Sequence, residues 1–323
     1  MLVYGVTLFT MAGCLRAPVV IVDNVLPAAA LSELDISHRE LVHLLLDPLM
    51  TIRWLARYGL IRNSMRCTDC DIDMSFQVRA GAQFVDGYAW SCRGCQAQKS
   101  LRIGSFFKGS HLTLIQLLDI VYYWAKQMKQ SEVCDETGIC RRVVVAWHNF
   151  LQDICCQYLL DHPVQMGGPG RVVEIDESKF MHRKYHRGAY REGHWVLGMV
   201  ERGSNLCKMV AVESRAADVL LPIIAQHVLP GTRILTDGWA AYNQLAQHEV
   251  VNHQLHFVDP NDPTLHTNTI EGSWGNVKAK FRAMHGTSDE LFHSHLQEFL
   301  WRRIFNDLVF GNILFWILHY YPL

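Results

Sequence analysis

The chain has 323 residues, enough for two or three domains or for one large domain with appendages. Half of the residues are hydrophobic and only 19% are charged, which excludes wholesale disorder and calls for a sizeable core. The formal net charge is -1, so a polyanionic partner must be met by local clusters of Lys and Arg, with 17 histidines adding charge on mild acidification.

Residues 1–36 form an unassigned leader. Its first 22 residues are apolar, but Arg16 interrupts them and no basic stretch precedes them, unlike a secretory signal. Residues 37–105 then combine a helix with a cysteine block. From 37 to 58 the apolar positions Leu41, Leu44, Leu45, Met50, Trp54 and Leu55 follow helical spacing, and Gly59 is a suitable stop. Cys67, Cys70, Cys92 and Cys95 form two CxxC pairs separated by 21 residues, the spacing of a Cys₄ zinc ribbon. Four thiolates would hold Zn²⁺ tetrahedrally and fix two knuckles that have little core of their own. With no coordination position left open, the role is structural. The competing possibility is four unrelated thiols. Cys14, Cys134, Cys140, Cys155, Cys156 and Cys207 are scattered through apolar or helical surroundings, which suits a reducing compartment.

Residues 106–165 read as helical, with helices over 112–128, 131–136 and 141–160. Thr137-Gly138 falls near the turn of a helix-turn-helix-like pair. Arg141 and Arg142 open its last helix, where a DNA-recognition helix carries basic groups; Trp147 and His148 follow. A plain helical packing domain is the alternative. Pro163 and the run from Gly167 to Gly170 read as a linker.

Residues 171–323 change character. Strands are expected over 172–180, 194–201 and 207–214, as a meander. Then come a helix over 219–228, a strand over 232–236, a helix over 239–248, a strand over 250–258 and a long helix over 268–284. Three antiparallel strands followed by alternating helix and strand make an α/β mixed sheet. The apolar tail from 308 is shorter than the ~20 residues of a membrane span and includes Asn312 and His319, so a helix packed on the core is expected, with no membrane partner.

Three carboxylates in this region suggest chemistry. Asp176 lies inside the apolar strand Val-Val-Glu-Ile-Asp-Glu-Ser, sharing a face with Glu174 while Ile175 and Glu177 take the other. Burying such a group is costly unless a cation or hydrogen-bond donors offset it. Asp237 ends a second apolar strand, and Glu271 lies in the first turn of the helix from Asn268. Converging, the three form a hard oxygen site suited to Mg²⁺ or Mn²⁺ and a phosphate substrate. Two such ions about 3.5–4 Å apart can assist in-line displacement at phosphorus. Taken singly, Asp237-Gly238 also fits a strand-end turn and Glu271 a helix N-terminal acid.

The strings Val-Val-Glu-Ile-Asp-Glu-Ser-Lys-Phe, Lys184-Tyr185-His186-Arg187-Gly188 and Trp195-Val196-Leu197-Gly198 resemble the catalytic domain of Merlin-type cut-and-paste DNA transposases, which are related to bacterial insertion-sequence transposases. Thr236-Asp237-Gly238-Trp239-Ala240-Ala241-Tyr242 resembles a second motif of that family. His266-Thr267-Asn268-Thr269-Ile270-Glu271-Gly272-Ser273-Trp274, with Lys278 following, resembles a third, and the likeness runs over roughly 172–305. It implies an RNase H-like (retroviral-integrase-type) fold, a metal triad of Asp176, Asp237 and Glu271, and a cysteine ribbon ahead of the core. Some relatives place Asn or His at the third ligand, which makes Asn268 and His266 the alternatives to Glu271. Trp274 and Lys278 share a helix face with Glu271, where Trp274 is expected to pack in the core.

The resemblance implies cleavage of transposon ends and transfer of the freed 3′-hydroxyl into target DNA, by a homodimer or higher assembly. The partners are terminal inverted repeats and target DNA; the location is the nucleus of a eukaryotic cell, or the cytoplasm and nucleoid of a bacterial one. The alternative is a domesticated, transposase-derived DNA-binding protein that does not cut. Lys179, Arg183, Lys184, Arg187 and Lys278, with Arg141 and Arg142, are the expected phosphate contacts. A solvated charged turn competes for the 179–191 stretch.

Overall fold

The computed structural model describes residues 19–180, 193–245, 248–251, 264–284 and 286–323. The chain divides into two compact units. One comprises the described residues up to Asp119 with Ile317–Leu323; the other is Ile120–Trp316.

The first unit opens with α1 (Ala29–Ser32), α2 (His38–Leu45) and α3 (Pro48–Arg57). Helical spacing predicts one continuous element over 37–58, but two helices form. Pro48 cannot continue a helix that needs its N–H, and it sits instead in the first turn of α3. Asp47 caps that turn by accepting from the Leu49 N–H at 3.0 Å. Ser37 and Glu40 form a reciprocal capping box at the start of α2. The strands β1 (Ser75–Val78), β2 (Tyr88–Ser91) and β3 (Gln98–Ser100) make an antiparallel sheet in that order. Phe76 stacks on Tyr88 with ring centroids 5.0 Å apart, and Trp90 is fully buried.

The chain passes to the second unit within α4 (Leu114–Ala125), followed by α5 (Gln130–Thr137) and α6 (Arg141–Asp161). Gly138 takes the left-handed conformation, φ 67°, that ends α5 and lets α6 start three residues later. Then come β4 (Met166–Gly167), β5 (Val172–Phe180), β6 (His194–Glu201), β7 (Cys207–Val212), α7 (Ala217–His227), β8 (Val228–Leu229), β9 (Arg233–Thr236), a 3₁₀ turn (Ala240–Gln244), β10 (His248–Val250), α8 (Asn268–Ala283), α9 (Asp289–Phe305) and α10 (Val309–Tyr320). The helix expected over 239–248 shrinks to that single turn. Leu245 ends it, and β10 starts at His248 to pair with β9.

The main sheet runs β10-β9-β5-β6-β7. β5, β6 and β7 are the antiparallel meander, and β9 and β10 add in parallel on the other side of β5. β5 is central, so both its faces are covered. Val173 and Ile175 join Leu197, Met199, Leu220, Ile224, Ile234 and Tyr242 in one core. The opposite face meets α8, whose Ile270, Trp274, Val277 and Phe281 are buried at helical spacing. Among the described residues, no helix is long and apolar enough to cross a membrane.

A buried ionic cluster ties the helices of this unit together. Glu298 of α9 accepts from Arg302 Nε at 2.7 Å, Lys280 Nζ at 2.8 Å and Gln152 Nε2 at 2.8 Å. Arg302 also donates to the carbonyls of Trp124 at 2.6 Å and Ala125 at 3.0 Å. Burial opposes the Glu298 charge, but Lys280 and Arg302 more than offset it and hold its carboxyl well below the ordinary range.

Candidate metal centre

β9 stops at Thr236, which lies beside Ile175, so Asp237 leaves the sheet next to Asp176. Beyond that point β5 pairs with no strand on this side among the described residues. Carboxylates from both of its faces can then reach the gap at the strand end. Asp176, Glu177 and Asp237 do so: each offers an oxygen, and the three oxygens lie within 4.8 Å of one another.

Each acid is held differently. Asp176 Oδ2 accepts from the indole N–H of Trp274 at 2.9 Å. Asp237 Oδ1 accepts from the Trp239 N–H at 3.1 Å, which closes the turn after β9. Glu177 Oε1 accepts from the Tyr242 hydroxyl, while its buried Oε2 accepts no hydrogen bond among the described residues. The Arg215 guanidinium is 3.9 Å from that second oxygen. Burial, joined by Asp237 and Glu271, pushes the Asp176 carboxyl up to about 6; the Trp274 N–H opposes the shift. Burial, then Asp237 and Asp176, push Glu177 up to about 8, against a lowering by Arg215. Crowded, desolvated carboxylates with an unsatisfied buried oxygen and an all-oxygen donor set fit a hard divalent cation.

These shifts carry a sign for stability. Asp176 and Glu177 hold protons more tightly in the fold than at their ordinary values of 3.8 and 4.5. Their stabilising contribution is complete below those values and is lost as pH rises through about 6 and about 8. The metal-free protein should therefore lose stability across that window, and Mg²⁺ should raise its melting temperature more at about pH 9 than at about pH 5. Thermal melts of wild type against an Asp176→Asn/Glu177→Gln double variant check this. An equally steep pH profile in the double variant would assign the slope elsewhere.

The sequence-derived residues separate into those at the gap and those beside it. Asp176 and Asp237 lie together in the cluster. Glu271 lies exposed in the first turn of α8, near enough to raise Asp176, but is not among the three that share the 4.8 Å cluster. His266 is engaged elsewhere: Arg202 Nη2 donates to its Nδ1 at 3.0 Å, and the Asn268 N–H approaches the same atom at 3.3 Å. Trp274 is packed in the core, as expected for that face, and also orients Asp176. Lys278 donates to Ser178 Oγ. Lys179 lies 5.4 Å from the Trp195 ring centroid. Arg183, Lys184 and Arg187 lie outside the described residues. Arg141 and Arg142 are exposed at the start of α6, but Trp147 and His148 are buried. They recur with Val144 and Leu151 at helical spacing, which makes them core and not a recognition surface; burial lowers the His148 imidazole to about 4.

Three contributors escaped the sequence reasoning. Glu177 is the first. The second is the pair Glu174 and Arg202. Fully buried Glu174 accepts from Arg202 Nε at 2.5 Å, Thr269 Oγ1 at 2.9 Å and the Ile270 N–H at 2.8 Å. It thereby fastens the positive N-terminal end of α8 to β5. The third is Gly198, directly across from Asp176 on β6. A Cβ there would come within 2.5 Å of the Trp274 ring and 2.9 Å of Ile270. Gly198→Ala should cost about 1–3 kcal/mol by overpacking and displace the indole that holds Asp176. Denaturant unfolding and tryptophan fluorescence measure both effects, and an unchanged spectrum would remove Trp274 from the positioning role.

In the first unit, Cys67, Cys70, Cys92 and Cys95 also converge, with their sulfurs within 4.8 Å of one another. Cys67 and Cys95 are 3.5 Å apart, close to the ~3.8 Å edge of a tetrahedron whose metal–sulfur bonds are about 2.3 Å. None is in a disulfide. The N–H groups of Cys95 and Gly94 lower the Cys92 thiol to about 7, whereas the neighbouring Cys95 thiol and burial raise Cys70 to about 12. One pair precedes β1 and the other lies between β2 and β3, so two turns face one point.

Residues 167–303 match the ISXO2-like transposase domain family. Over 150 residues, 41% of this chain, the sequence is 28% identical to male abnormal protein mab-31 of Caenorhabditis elegans, spanning 34% of that protein's length. Over 102 residues, 30% of this chain, it is 30% identical to an uncharacterized transposase-like protein of Haemophilus influenzae, covering 80% of that protein. The family match runs from the end of β4 through β5 into the last turn of α9, and with it takes in all of the acids at the strand gap. The chain belongs to the transposase-like family that carries the ISXO2-like domain, related to the transposases of insertion sequences.

Proposed function

We propose that this chain is a metal-dependent DNA transposase of the Merlin type, with an RNase H-like catalytic unit. It cleaves the ends of a mobile element and joins the freed 3′-hydroxyl to target DNA. The observation that carries this is the meeting of Asp176 and Asp237, one from a central strand and one from the end of its parallel neighbour, with Glu177 beside them. The sheet order supports the RNase H-like assignment, since an antiparallel meander is extended in parallel from its first strand.

Asp176 and Asp237 would hold Mg²⁺ or Mn²⁺, with Glu271 completing the set from α8 and Glu177 lending its free oxygen. A bound divalent ion supplies Lewis-acid stabilisation of charge at a phosphodiester. The chain's own groups do the positioning. Trp274 fixes the Asp176 rotamer, Glu174 pins the start of α8, and the Tyr242 hydroxyl holds one Glu177 oxygen. DNA is the partner that family membership implies, with two ends held by a dimer, in the nucleus if the cell is eukaryotic. Arg141 and Arg142, exposed at the start of α6, would contact phosphates.

The four cysteines are assigned a structural Zn²⁺ in a ribbon. Metal analysis should return zinc, and Cys67→Ser/Cys92→Ser should lose it and open residues 66–100 to protease. Retained protection without zinc would refute the ribbon.

Purified protein with Mg²⁺ and DNA carrying the sequences that border its own gene tests the enzyme. Joined strands support transposition. Nicks without joining indicate a nuclease that only hydrolyses, and binding without nicking indicates a domesticated DNA-binding descendant.

A further inference from the structure

Beside the acid cluster, one cation is held in an unusual way. Arg215 lies in the connection between β7 and α7. Its guanidinium carbon is 4.2 Å from the Trp195 ring centroid and 4.0 Å from that of Trp239. The planar group is therefore caught between two indoles, one from β6 and one just after Asp237. Trp239 adds a second restraint, since its indole N–H donates to the Arg215 carbonyl at 3.0 Å. The side chain still keeps 30% of its surface in solvent.

What this arginine lacks is an acceptor. A guanidinium has five N–H donors, and among the described residues none of those of Arg215 makes a hydrogen bond. Glu177 is nearest, yet at 3.9 Å it is out of hydrogen-bond range. A structural ion pair would close that distance, as Arg102 does with Asp86 at 2.6 Å and Arg233 with Glu249 at 2.7 Å. Arg215 is instead stacked, oriented and left with its donor edge unspent.

The geometry points to Arg215 as the residue that grips a DNA phosphate next to the acid cluster, with exposed Trp239 offering a face to a neighbouring base. This rests on the proposed action on DNA and deepens it. A guanidinium fork matches phosphate oxygens bidentately, and stacking between indoles fixes the fork before the ligand arrives, lowering the ordering cost. An indole that is 38% exposed is a sequence-tolerant platform for a base. Lys179, on the strand paired with Trp195, adds a second positive charge at the same edge.

Binding of a fluorescently labelled, mixed-sequence DNA duplex, measured by anisotropy in Ca²⁺ over a series of KCl concentrations, provides the test. Each phosphate contact contributes about 0.9 to the slope of log affinity against log salt. Arg215→Gln should lose about that amount and bind roughly tenfold more weakly at physiological salt. Arg215→Lys keeps the charge but not the fork, and should retain the slope while binding more weakly than wild type. Thermal melts of both variants check that the fold survives, with the Lys variant serving if the Gln variant unfolds. Wild-type slope and affinity in both variants would overturn the assignment and leave Arg215 as a distant counter-ion of Glu177. Wild-type protein that binds no DNA would overturn the underlying functional reading as well, an outcome visible before any variant is made.

Discussion

Asp176→Asn and Asp237→Asn should each abolish divalent-dependent DNA cleavage while leaving the protein folded. The amide keeps the size of the carboxyl and removes the charge that attracts a cation. Lewis-acid stabilisation is worth several kcal/mol, and about 1.4 kcal/mol corresponds to a tenfold change in rate, so a loss of roughly 10³-fold is expected. The fold should tolerate either change, and the metal-free protein should become more stable at high pH, because crowded buried carboxylates repel one another. Glu271→Gln should cost less, about 10²-fold, since Glu271 approaches from the exposed rim of α8. Gel assays of nicked and joined products, with melting curves alongside, measure both sides. Full cleavage by Asp237→Asn would detach this acid from the chemistry.

Glu298→Ala should have the largest effect on stability. Removing this carboxylate strands two cations, Lys280 and Arg302, in a cluster whose side chains are at most 15% exposed. Breaking one partner out of a buried ionic cluster costs about 3–5 kcal/mol, a large fraction of the roughly 5–15 kcal/mol that holds a domain folded. The contrast is Glu132→Ala, which removes a surface pair with Lys129 at 3.5 Å. That pair is solvated and should contribute less than about 1 kcal/mol. Urea unfolding of the two variants compares them. Equal midpoints would mean that the buried cluster does not join α6, α8 and α9 in the way its hydrogen bonds imply.

The elements around the site were largely legible because β5 and α8 obey simple periodicities. Two-residue alternation along 172–180 puts Glu174 and Asp176 on the α8 face, where each finds its partner. The same alternation misleads for Glu177. Adjacent residues on a strand point to opposite faces, so alternation alone puts it on the face away from Asp176. Only the early end of β9 at Thr236 opens an edge that both can reach. Strand length relative to a neighbour is a tertiary property, and consecutive acids closing an apolar run were the sole hint. The break between α2 and α3 was available in Asp47-Pro48, and the burial of Trp147 and His148 in their spacing from Val144 and Leu151. The Glu298 cluster was not available, because Gln152 and Glu298 are 146 residues apart in sequence and no local pattern relates them. Gly198 likewise matters only through Trp274 of a distant helix.

Mn²⁺ binding by the full chain, followed calorimetrically or by electron paramagnetic resonance in the absence of DNA, is the most direct measurement. Wild type should take up Mn²⁺ with proton release, and Asp176→Asn and Asp237→Asn should each lose that uptake while the zinc proposed for the four cysteines stays at wild-type content. Undiminished Mn²⁺ binding in both variants would mean that these two acids, although adjacent, do not form the centre.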